Sequence, residues 1–289
     1  MDDINWDRTV FSLLGPDALA RYLGDAVLDR MESIGFTPIA WRVLWHRPAD
    51  LDSFHENNIS HSWNAYLYRL VDQLFAFGPT VAMLLADQRQ DRAECSHRRL
   101  VQAKGSSDPV KAGPGTIRGE LGSINVMLAL MHSSDTPADS AKESAVFGGP
   151  EGLPRDGDPD ELRTALALMR ASAPQERRGY PEVLAGLRAR ALVAAWDELP
   201  RPLRKTAGAM LEAGGTELAA PGSGERLASL LPPAHPLAEL LRADFTPASP
   251  GPDPARIRLA LRMYGTDLDP WQDLVLATSR RFWPRGLGH

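Results

Sequence analysis

One cysteine, Cys95, in 289 residues excludes an internal disulfide and a cysteine-based zinc cluster. No apolar run is long enough to cross a bilayer. There is no surplus of positive charge either. With 32 Lys and Arg against 37 Asp and Glu, the net charge of −5 gives no general attraction to nucleic acid or to an anionic membrane. The opening Met1-Asp2-Asp3-Ile4-Asn5 lacks the charged, apolar, small order of a secretory leader, so the expected location is the cytoplasm. No repeat period is visible. His46, His55, His61 and His97 stand at no metal-ligand spacing, so no protein metal site is expected.

The chain is long enough to bury two cores. Residues 9–14 form a short apolar run that suits a buried strand, and Gly15-Pro16-Asp17 ends it. Pro16 and Asp17 open a helix, with Ala18, Leu19, Tyr22, Leu23, Ala26, Val27 and Met31 at helical spacing. From Thr37 to Trp45 the pattern alternates, with Ile39, Trp41, Val43 and Trp45 on one side, which predicts a strand and puts both tryptophans in the core. Two short helices are expected next, the second over 62–76, then a third strand over 77–85 and a charged helix over 89–104. Residues 105–118, rich in glycine and proline, are expected to be irregular. A fourth strand is expected over 124–131 and a helix over 137–147.

This order fits the split βαβ, ferredoxin-like plan, an antiparallel four-stranded sheet covered by helices. Gly148 to Pro154 has the composition of a linker, dividing residues 1–149 from 150–289. Beyond it the periodicity is helical: Leu162, Ala165, Leu166 and Met169 form one stripe, and Val183, Leu184, Leu187, Ala191 and Leu192 another. The expected class is α+β, with an all-helical second domain.

The chemistry concentrates between Pro114 and Phe147. A Gly-Thr-Ile-Arg turn precedes an apolar run, His132 follows that run, and Glu143 comes eleven residues later. A neutral imidazole can attack phosphorus, a carboxylate can fix its tautomer, and an arginine can hold phosphate oxygens. The order G-T-I-R-G-[DE], apolar strand, H-x-S-D-[ST] and the spaced Glu resembles the catalytic segment of nucleoside diphosphate kinases. Arg8-Thr9 with Gly15-Pro16-Asp17, the Phe77–Met83 run and Gly105-Ser106-Ser107-Asp108-Pro109 resemble further motifs of that family, over residues 6–149.

The resemblance implies a phosphohistidine at His132, oriented by Glu143. It implies nucleoside di- or triphosphate contacts at Arg118, Ser107 and Asp135, with Mg²⁺ accompanying the nucleotide, and a homodimer or larger assembly. Tyr66, Leu67 and Tyr68 compete for the base-stacking position, with Tyr68 the residue expected there. The sequence also departs from the pattern. Gly15 occupies the lysine position, Ala129 an asparagine position, and Val101 lies on or beside a second arginine. One extra residue separates Arg118 from His132. Lys111, Arg98 and Lys104 are replacement cations. The implied function is a divergent phosphotransferase. The alternatives are a nucleotide-binding sensor or scaffold, and a biosynthetic enzyme with a repurposed site.

Overall fold

The computed structural model describes residues 4–46, 51–52, 65–90, 94–148, 152–154, 157–172, 175–213, 215–246 and 251–284. Two compact units divide at Arg177/Arg178.

The first unit is built on a four-stranded antiparallel sheet of β1 (Thr9–Leu14), β2 (Phe36–Leu44), β3 (Thr80–Asp87) and β4 (Met131–Ser133), in the order β2-β3-β1-β4. The ferredoxin-like α+β plan expected from the order of elements is the one observed. All six residues of β1 are buried because the strand is central and covered on both faces. Val10 and Leu14 enter one core with Val27, Met31 and Leu100, whereas Phe11 and Leu13 enter the other with Leu84 and Phe147.

The helices described in this unit include α1 (Pro16–Ala20), α2 (Gly24–Ser33), α3 (Ala65–Phe77), α4 (Ser96–Lys104), α5 (Ile117–Glu120), α6 (Pro137–Gly148) and α7 (Pro159–Ser172). The helix expected to run from Pro16 to Met31 is broken, because Tyr22 takes a left-handed φ of 57° between α1 and α2. The charged helix starts at Ser96, not at Arg89. The stretch expected to be irregular yields one helical turn at its end, where the Thr116 hydroxyl caps α5 by accepting from the Gly119 N–H at 3.1 Å. Of the two helices expected after β2, the first falls largely outside the described residues.

β2 departs from simple alternation. A register shift between Pro38 and Ala40 puts Ile39 with the Phe11 core, while Trp41 and Val43 pack on the other face. Trp45, past the strand end, is 68% exposed and not in the core. The helical stripe of α7 also finds its place here. Leu162 and Leu166 are buried among Val27, Met31 and Phe36, so residues past the glycine-proline segment at 148–154 complete the core of the first unit.

The second unit contains α8 (Tyr180–Ala194), a 3₁₀ turn (Trp196–Glu198), α9 (Arg201–Glu212), α10 (Gly215–Ala219), α11 (Ser223–Ala228), α12 (Ala238–Arg242), α13 (Pro254–Met263) and α14 (Pro270–Arg281). Its described residues include no strand. The stripe Val183, Leu184, Leu187, Ala191 and Leu192 is buried, as its spacing predicts. Beside it Arg188 is fully buried. It donates to the carbonyls of Leu218 and Ala243 and pairs with Asp244 at 2.6 Å.

Candidate functional site

The fourth strand is shorter and later than the apolar run suggests. Over 124–130 the backbone turns instead. The Asn125 side-chain oxygen accepts from the N–H groups of Met127 and Leu128, each at 3.0 Å, and the Ile124 N–H reaches the Leu128 carbonyl. Leu130 then takes a φ of 70°, in the left-handed region that a bulky residue seldom enters. Both of its backbone groups are held. The Asp17 carboxylate accepts from the Leu130 N–H at 2.8 Å, and the Gly15 N–H donates to the Leu130 carbonyl at 2.8 Å. Burial pushes the Asp17 carboxyl up from its ordinary value, against the Leu130 N–H and the Arg21 charge, which pull it down.

His132 is the middle residue of β4, opposite Leu13 of β1. Alternation buries Met131 and Ser133 and leaves the His132 side chain 38% exposed. Its Nε2 lies 2.8 Å from Oε2 of Glu143 on α6, and the Ser134 hydroxyl donates to the same oxygen at 2.6 Å. A carboxylate only accepts, so Nε2 carries the proton and the ring lone pair belongs to Nδ1. Helix α6 is started by Thr136, whose hydroxyl accepts from the Asp139 N–H at 3.1 Å, with Pro137 in the first helical position. That start sets where Glu143 falls, nearly two turns beyond Thr136.

The backbone around His132 is held by side chains. Ser12 Oγ donates to the His132 carbonyl at 2.6 Å, and Lys104 Nζ to the Ser133 carbonyl at 3.2 Å. Arg118 donates through Nη2 to the Met131 carbonyl at 2.6 Å, through Nε to Ala129 at 3.0 Å and through Nη1 to Gly105 at 2.9 Å. Burial lowers the Arg118 guanidinium to about 10, opposed by the charges of Asp17 and Asp135.

Of the residues expected at the site, the structure brings His132 and Glu143 into contact and has Arg118 donate to the backbone carbonyls on either side of Leu130. Asp135 is exposed directly after Ser134. Lys111 is not part of this cluster. Its side chain is exposed and pairs with Asp108 at 3.1 Å. Ser107 lies half-buried in the loop after α4. Tyr68 is on α3, and its side chain lies outside the described residues. Sequence reasoning missed Ser134, Ser12 and Asp17 as supports. A serine inside H-x-S-D and a lone hydroxyl in an apolar strand were the available signals.

These elements define a ferredoxin-like α+β domain with a carboxylate-oriented histidine on its edge strand. The family model of nucleoside diphosphate kinase matches residues 7–151. The nucleoside diphosphate kinase of Archaeoglobus fulgidus is 30% identical over 141 residues, covering 49% of this chain and 85% of that protein. That of Thermosipho africanus is 30% identical over 141 residues, covering 49% of this chain and 88% of its own length. The solved nucleoside diphosphate kinase of Encephalitozoon cuniculi is 22% identical, covering 54% of this chain and 98% of that one, with a TM-score of 0.44. The chain belongs to the nucleoside diphosphate kinase family.

Proposed function

We propose that this chain is a divergent phosphotransferase that passes a phosphoryl group between nucleotides through His132, with the chemistry in residues 1–149, α7 completing the core of that part, and the helical second unit appended. The observation that carries the reading is the 2.8 Å contact from His132 Nε2 to Glu143, with Ser134 on the same oxygen. It sets the tautomer in which Nδ1 is the nucleophile. Nδ1 attacks the γ-phosphorus, the bond to the bridging oxygen breaks, and the nucleoside diphosphate leaves with that electron pair. A terminal oxygen of a second diphosphate then takes the group from Nδ1. Ser107 and the N–H groups that Arg118 does not spend on carbonyls are assigned to phosphates, with Lys111 joining them by leaving Asp108, and the base to Tyr68.

Mg²⁺ suits this site only as a companion of the nucleotide. Among the described residues no three His, Cys, Asp or Glu side chains are grouped to hold a metal. Asp135, exposed beside Ser134, fits an ion bound by one or two carboxylates plus phosphate oxygens. Such an ion would offset phosphate charge. A cytoplasmic location goes with this reading, and among the described residues no helix is long and apolar enough to cross a membrane. The edge strand β2 makes a homodimer the expected assembly. Light scattering giving a monomer mass would refute that assembly.

The scaffold reading draws support from Gly15. A Cβ there would lie 2.4 Å from Asp17 Oδ1 and 3.2 Å from the Leu130 carbonyl, so a lysine at this position collides with the contact that holds Leu130. The charge and the collision can be measured separately. Gly15→Ala introduces only the Cβ, and Gly15→Lys adds the cation. Both variants are expected to melt below the wild type. Phosphate exchange between nucleotides by Gly15→Lys should exceed that by Gly15→Ala by roughly 10²-fold, the worth of one well-placed donor. Equal rates in the two variants would show that no charge is missing at this position.

A further inference from the structure

Lys104, the last residue of α4, is only 6% exposed. Its ammonium has three N–H groups, yet the Ser133 carbonyl, at 3.2 Å, is its one hydrogen-bond acceptor among the described residues. A buried methionine would fill the same space without the cost of desolvating a charge. The surroundings show what the charge acts on. Arg118 on α5 repels it, while Glu143 on α6 and Asp135 after β4 attract it. His97 sits on its own helix, Asp17 of α1 bears on Arg118, and His132 is next to the residue whose carbonyl Lys104 holds.

We propose that Lys104 is a positioning residue for His132: its buried ammonium, donating to the Ser133 carbonyl, fixes the backbone beside the nucleophile and with it the place of the His132 ring. The coupling stands on the geometry. Its effect on rate rests on the phosphohistidine reading above.

The pH dependence has a definite sign. Burial, reinforced by Arg118, lowers the Lys104 ammonium to about 8, with Asp135 and Glu143 opposing. The charge is therefore present below that value and lost as the pH rises through it. The test follows the His132 ring by ¹H–¹⁵N NMR in the nucleotide-free full-length protein, with the signal assigned from its loss in His132→Gln. Wild type is expected to show an inflection near the Lys104 value of about 8. Lys104→Met and Lys104→Arg should both lack it, the first uncharged and the second charged throughout.

Single-turnover labelling from γ-labelled ATP and Mg²⁺ gives the second readout. At neutral pH Lys104→Met should label His132 about tenfold more slowly, as expected for a loosened nucleophile, and Lys104→Arg at the wild-type rate. Thermal melts confirm folding, since replacing a buried ion by a hydrophobe is neutral or stabilising in many proteins. The proposal is overturned by a wild type without the inflection, by an inflection that persists in Lys104→Met, or by a Lys104→Arg protein as slow as Lys104→Met. A wild type that shows the inflection but never labels would end the kinase reading and leave the coupling established.

Discussion

The His132→Ala protein is expected to take up no phosphate from γ-labelled ATP and Mg²⁺, a loss of at least ~10³-fold, because removing a nucleophile removes the covalent route and not merely part of its efficiency. The wild type should carry the label as an acid-labile, alkali-stable phosphoramidate. Glu143→Gln should retain label but acquire it more slowly by ~10²-fold or more, since an amide no longer dictates that Nε2 carries the ring proton. Calorimetry on His132→Ala should show nucleotide affinity close to that of wild type, because the imidazole is assigned to chemistry and not to binding. Label persisting in His132→Ala would place the nucleophile elsewhere. A wild type that binds nucleotide and never labels would favour the scaffold.

Arg118→Met is expected to destabilise the first unit by about 3–5 kcal/mol, because it leaves three carbonyls without their donor, at about 1–3 kcal/mol for each one that stays buried and unsatisfied. Arg118 is 8% exposed, and its guanidinium donates to three carbonyls, those of Gly105, Ala129 and Met131. Methionine fills the volume and satisfies none of them. Arg118→Lys should recover only part of the loss, because one ammonium cannot reproduce a planar fork across three acceptors. Urea unfolding followed by circular dichroism measures the effect. If Arg118→Met kept wild-type stability and lost only nucleotide affinity, the side chain would be a ligand contact with no structural duty.

Much of the first unit was legible because local signals there agree with the final packing. β1 is short and apolar and is buried on both faces, and the ordered motifs around His132 and Glu143 fixed the pair that the structure joins. What stayed hidden depends on contacts distant in sequence. The apolar run at 124–131 satisfies a strand pattern, but Asn125 captures its backbone and Asp17 stabilises the turned Leu130. An amphipathic stripe such as that of α7 says that one face is buried and not which core receives it. Arg118 was open to a second interpretation because a guanidinium suits phosphate and carbonyl oxygens alike.

The grip of Arg118 on both sides of Leu130 also bears on chain length. The side chain staples its own backbone position to Ala129 and Met131, so residues between them form a closed ring whose two ends are fixed by hydrogen bonds. Closing a ring of roughly a dozen residues costs free energy that grows only with the logarithm of its size, so one added residue changes it by about 0.1 kcal/mol. The Asn125 turn takes up the slack, and His132 keeps its pairing with Leu13. An insertion in this interval is therefore close to neutral, whereas shortening it would pull on the staple, and the spacing from Arg118 to His132 is the part of the motif freest to drift upward.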